Sequence, residues 1–152
     1  MIHKKFFLLL IIFMLSGCTT VNIPNYIQDK NPYKQTYTAS FENVLMAASK
    51  ALEHSGWVVT NKYDPAVFEQ NKELNFSGAK QLMLSTNVRQ TPFIFGTRYG
   101  RVNAYIRTID EKSTEVEMRY VTVTSIPFKN FNSYRNDRAI KHILDSIEKI
   151  IK

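Results

Sequence analysis

Cysteine and histidine are the side chains best suited to nucleophilic, acid–base or metal chemistry near neutral pH, and this chain has one cysteine and three histidines. The histidines are far apart in sequence: His3 at the start, His54 near an expected helix end and His142 within a later apolar stripe. No HExxH pair, nucleophile elbow, phosphate-cradling glycine loop or calcium-loop spacing accompanies them. His54 and His142 suit helix ends and faces, where an imidazole can meet terminal carbonyls. Asp64 stands before Pro65 and reads as a turn former. Glu115 and Glu117 share a strand face opposite alternating apolar residues, a face expected to meet solvent. The sequence therefore assigns no catalytic residue, metal ligand or cofactor. A hydrolytic site assembled only in space escapes a scan of this kind.

Cys18 has a more specific context. His3, Lys4 and Lys5 precede an uninterrupted apolar run from Phe6 to Leu15, which gives way to Ser16-Gly17-Cys18. A membrane-spanning helix needs about 20 apolar residues to cross roughly 30 Å of hydrocarbon, so this run is short for a span and suits the core of a secretion signal. Leu15-Ser16-Gly17-Cys18 resembles the lipobox of bacterial lipoproteins. The resemblance implies recognition of Leu15, Ser16 and Gly17 by a signal peptidase, removal of residues 1–17, and acyl chains on Cys18 that hold the protein to a membrane. Two or three chains, at about 0.8 kcal/mol per buried methylene, make such attachment effectively permanent. In Gram-negative lipoproteins an Asp after the cysteine retains the protein in the inner membrane. Thr19 at that place implies the outer membrane, facing the periplasm. An ordinary signal peptide or a buried helix is the competing reading of the same residues.

Lipidation of the lone thiol would exclude an internal disulfide and a cysteine metal site. Processing would leave roughly 135 residues, the size of one ordinary domain. The chain has 20 Lys plus Arg against 13 Asp plus Glu, and it stays basic after loss of Lys4 and Lys5. For an exported protein the available polyanions are lipid headgroups, wall polymers and acidic protein faces rather than nucleic acid. A mild basic surplus is also an ordinary soluble surface.

The acylated Cys18 and the residues to 34, with Pro24, Pro32 and several Asn, read as a flexible tether. At up to roughly 3.3 Å per residue it could lift a domain several tens of ångströms from a bilayer. Residues 35–152 read as one domain, entered by a weak strand over Tyr33–Ala39. Ser40 is an N-cap candidate for a helix in which Phe41, Val44, Leu45, Ala48 and Leu52 share a face, with Gly56 as its stop. Short strands are expected at Trp57–Thr60, near Ala66–Glu69, and over Gln81–Arg89, where Leu82, Leu84, Thr86 and Val88 oppose Met83, Ser85, Asn87 and Arg89. Val102, Ala104 and Ile106, then Val116, Met118 and Tyr120, repeat the alternation on either side of a hairpin connection at Asp110–Ser113. Ile140, Ile143, Leu144, Ile147, Ile150 and Ile151 form one stripe of a closing helix.

The order implies an α+β fold, an antiparallel β-sheet packed against two main helices. In layout, from about residue 35 to 151, it resembles the helix-grip modules of envelope lipoproteins such as the domains of the outer-membrane assembly lipoprotein BamC.

Two segments mix aromatic and basic residues. Phe93, Phe95, Arg98, Tyr99 and Arg101 form one, and Phe128 and Phe131 with Lys129 and Arg135 form the other. Exposed, they would make a contact surface for an acidic partner or a membrane interface. Buried, the phenylalanines would extend strands into the core. The functional expectation is a non-catalytic, lipid-anchored envelope protein, a binding or accessory subunit of an assembly or transport complex. The rival is a ligand-binding or hydrolytic lipoprotein acting on wall glycan or lipid through a cleft between sheet and helices. The oligomeric state is left open.

Overall fold

A computed structural model describes residues 21–68, 79–94, 96–126 and 129–152, with no side-chain description of Phe93. The expected signal peptide, its recognition residues Leu15, Ser16 and Gly17, and Cys18 lie outside the described residues, as do Phe95 and Phe128.

Nine main elements follow one another: β1 (Tyr33–Tyr37), α1 (Phe41–His54), β2 (Val59–Tyr63), β3 (Gln81–Thr86), β4 (Arg89–Phe93), β5 (Gly96–Asp110), β6 (Ser113–Ile126), β7 (Lys129–Ser133) and α2 (Asp137–Ile151). The strands form a seven-stranded antiparallel sheet whose spine is the long β5–β6 hairpin. Its inner half is flanked by β1 on one side and by β3, then β2, on the other. Its outer half is flanked by β4 on β5 and β7 on β6. The fold is α+β.

Both helices pack on one face of the inner half. Val44, Ala48 and Leu52 of α1 and Ile140, Ile143 and Ile147 of α2 are fully buried with Val102, Ala104, Ile106, Val116 and Met118. The threes-and-fours spacing of the helices meets the twos spacing of the strands, so each presents a continuous apolar surface. Gly56 ends α1 with φ +79°, and its N–H bonds to Glu53 O (2.9 Å) while Trp57 N–H bonds to Leu52 O (2.9 Å). This paired closure requires the left-handed conformation that glycine adopts without strain. Trp57 N–H is thereby committed to the helix end, and β2 begins at Val59 rather than at Trp57. Ser40 holds the N-cap position of α1 without a side-chain cap bond, whereas Asn136 caps α2 by accepting from Ala139 N–H (3.2 Å).

Three expectations are corrected. Ala66–Val67 lies not in a strand but in a 3-10 turn, Pro65–Val67, whose first N–H is absent in Pro65 and whose next, on Ala66, donates to Asp64 Oδ1 (2.9 Å). The strand expected over Gln81–Arg89 breaks after Thr86, because Asn87 N–H pairs with Val58 O (2.9 Å). Most consequentially, the face bearing Glu115 and Glu117 is covered: Glu117 and Arg119 are each only 6% exposed.

The cover comes from the segment expected to be a free tether. From residue 21 to β1 it lies across the outer face of the sheet, with Ile27 fully buried. Its irregular backbone makes no ladder of its own, and long polar side chains of the sheet satisfy its carbonyls. Asn103 Nδ2 donates to Asn25 O (2.7 Å), Arg119 Nη1 to Ile27 O (3.2 Å), and Arg101 Nη1 to Ile23 O (3.3 Å). Beneath it Glu117 accepts from Arg119 Nε (2.6 Å) and pairs with Lys34 (3.1 Å), while Arg107 pairs with Glu115. Arg119 also lies over the Tyr105 ring at 4.0 Å from its centroid. Burial alone would favour its neutral form, but Tyr105, Tyr26 and Glu117 outweigh that effect and raise its pKa.

Candidate functional site

The outer half of the hairpin carries the features that could recognise another molecule. Leu84 pairs with Ala104 in β3–β5, whereas Arg89 pairs with Gly100 in β4–β5, so one extra residue enters the chain between the two pairings. A one-residue slip exchanges the faces of a strand. Arg89 and Thr91 are therefore on the helix-facing side, against the alternation expected through Arg89.

On that side the four outer strands align a row of Thr91, Arg98, Thr124 and Phe131, each opposite the next. Neighbouring strands are roughly 4.8 Å apart, so Arg98 and Phe131 are about two strand spacings from each other. Arg98 is exposed, Phe131 is 46% exposed, and Lys129 Nζ lies 4.9 Å from the Phe131 ring centroid. Ile94, in the turn between β4 and β5, is 90% exposed.

Where this surface meets the helices there is a cleft of about 400 Å³. One wall is the end of α1 with His54 and Ser55, and the opposite wall is the start of α2 with Asn136, Ala139 and His142. Trp57 and Tyr120 also line it, their rings edge to face at 6.3 Å and 82°. The missing side chain of Gly100 makes room for them, since a Cβ there would come within 3.3 Å of the indole and 3.6 Å of the Tyr120 hydroxyl. Arg89 extends over the indole at 5.7 Å, and its Nη1 donates to Ser55 O at 3.4 Å. Arg98 lines the same cleft, and among the described residues its formally charged lining is the two arginines, with no Asp or Glu. Ser55 Oγ is buried without a hydrogen-bond partner among the described residues.

The two histidines at the cleft, which sequence spacing keeps apart, are thus brought into one space. Among the described residues no group of three His, Cys, Asp or Glu converges as a metal site. No family model, no curated protein and no solved structure matches this chain.

The candidate contact residues are divided by the pleat. Arg98, Phe131 and the backbone position of Phe93 share the helix-facing side. Tyr99 and Arg101 are on the other side, and neither forms an exposed tip with Arg98: Tyr99 is half-buried opposite Val123, and Arg101 donates to Asn25 Oδ1 (2.6 Å). Burial lowers the pKa of Arg101, while Tyr63 opposes the shift. Its role is to hold the N-terminal segment. Trp57, Arg89 and Tyr120 were absent from the sequence-based set because they come from different elements and only the β3–β4 slip turns Arg89 toward the others.

Proposed function

We propose that this protein is a lipid-anchored, non-catalytic component of the bacterial envelope that binds an acidic face of another envelope protein through the open side of β4–β7. The anchor rests on the lipobox at Leu15–Cys18, and Thr19 supports an outer-membrane position facing the periplasm. The binding role rests on one observation: Arg98 and Phe131, from two basic-aromatic segments distant in sequence, lie in the same row of the sheet. Arginine supplies forked donors and phenylalanine supplies apolar area, the combination that dominates protein contact energies. No helix among the described residues is long and apolar enough to cross a membrane.

A photoreactive residue at Phe131, followed by affinity capture from intact envelopes, tests the binding role. A stoichiometric companion that is lost with Arg98→Glu is expected, and a lone monomer band would overturn it. Cys18→Ser should abolish incorporation of labelled palmitate, and continued labelling would reject the anchor assignment. The cleft favours a second reading, in which the domain also holds a small envelope ligand such as a glycan or lipid fragment. Its size lies within the roughly 300–1,000 Å³ usual for such sites.

A further inference from the structure

We propose that the cleft between the end of α1, the start of α2 and the outer half of the hairpin binds the phosphate of a small ligand. The inference rests on the small-ligand reading, is independent of the anchor, and shares Arg98 with the partner surface.

The charge of the site sets the sign of its ligand. Arg89 and Arg98 line the cleft, no carboxylate shares it among the described residues, and His54 and His142 add ring N–H donors. A guanidinium is planar and permanently charged, and its fork fits two oxygens of a phosphate at once. Arg98 has no acceptor among the described residues. Arg89 has one long bond to Ser55 O, so most of its donor capacity is uncommitted. Ser55 Oγ adds a buried hydroxyl without a protein partner.

The volume sets the body of the ligand. Trp57 and Tyr120, each 6% exposed, pack over Gly100 and close the floor of the cleft beside the donors. The helices close two sides, and the volume of about 400 Å³ suits a monosaccharide phosphate better than the length of a peptide.

Trp57 is the chain's only tryptophan, so its emission reports on the cleft. The full chain in neutral detergent should be titrated with N-acetylglucosamine 1-phosphate, with uncharged N-acetylglucosamine, with phosphatidylglycerol in micelles of the same detergent, and with hexaglutamate. A saturable change with either phosphate probe, at least tenfold weaker or absent with the uncharged sugar, is expected. Saturation by the sugar phosphate identifies a soluble ligand, and saturation by phosphatidylglycerol alone identifies a lipid headgroup.

Arg98→Ala should weaken binding about tenfold or more, with Arg98→Lys between the two. Arg98 is exposed and makes no hydrogen bond or ion pair among the described residues, so an unchanged melting temperature will separate lost binding from lost fold. Four results overturn the proposal: no saturation by either phosphate probe, equal response to the uncharged sugar, unchanged affinity in Arg98→Ala, or saturation by hexaglutamate alone. Failure of the Phe131 capture experiment leaves this titration unaffected, so the two ideas fall separately.

Discussion

The inner and outer halves of the β5–β6 hairpin are made from the same two strands with the same alternation, yet the helix-facing side is core in one and opens to solvent toward the end of the other. In the inner half, Val102, Ala104 and Ile106 lie under helices, and the polar face opposite lies under residues 21–32. In the outer half, the helix-facing row reads Thr91, Arg98, Thr124 and Phe131. Length accounts for the division. A strand of 15 residues such as β5 spans roughly 50 Å, whereas helices of 14 and 15 residues reach only about 21–23 Å, so the helices cannot roof the whole spine. Alternation specifies which side chains share a face, and the covering elements decide whether that face is dry.

The sharpest test of this contrast is Glu117→Ala. It leaves Arg119 buried beneath Ile27 without its carboxylate, and removing one partner of a buried pair costs about 3–5 kcal/mol. Equilibrium denaturation should show that loss, and a change under 1 kcal/mol would mean that the N-terminal segment does not seal the face. Met118→Ala, on the helix side, should cost about 2–5 kcal/mol through lost burial and a residual cavity.

Tyr37 adds a pH signature to the inner half. Burial raises the pKa of its hydroxyl, Glu148 and Asp145 reinforce the shift, and the hydroxyl donates to Leu144 O at 2.9 Å. A raised folded pKa means that the fold favours the neutral phenol. Its contribution is complete below the ordinary tyrosine value near pH 10 and is lost as pH rises above it, by up to about 1.4 kcal/mol per pH unit. Tyr37→Phe should lose about 1 kcal/mol at neutral pH and flatten the alkaline slope in parallel melts at pH 8 to 11. The smallest effects belong to the outer half: Arg98→Ala and Phe131→Ala should each change stability by less than about 0.5 kcal/mol. A loss at Phe131 comparable to that at Met118 would erase the distinction between the halves.

Much of the fold was legible because its periodic segments are long. The α1 and α2 stripes, the Gly56 stop, the Asp110–Ser113 connection and the apolar faces of β5 and β6 all follow from local spacing. The errors arose where a distant residue competed for a local group. Asn87 turned to Val58 and broke the strand, and the 21–32 segment found its hydrogen-bond partners in Arg101, Asn103 and Arg119. The candidate site was half legible: Arg98 and Phe131 stood out as a basic-aromatic signal, but Arg101 carried the same signal while serving the N-terminal segment.

The sequence by itself determined the alternation of the strands, the apolar stripes of both helices and the lipobox-like run ending at Cys18, because each is written in neighbouring residues. Only the tertiary structure decided that His54 and His142 share a cleft, that Arg89 turns toward Trp57, and that Glu117 is buried. Those outcomes depend on strand register, on one extra residue between β3 and β4, and on which segment covers which face. They join residues up to about 90 positions apart, beyond the reach of any local pattern.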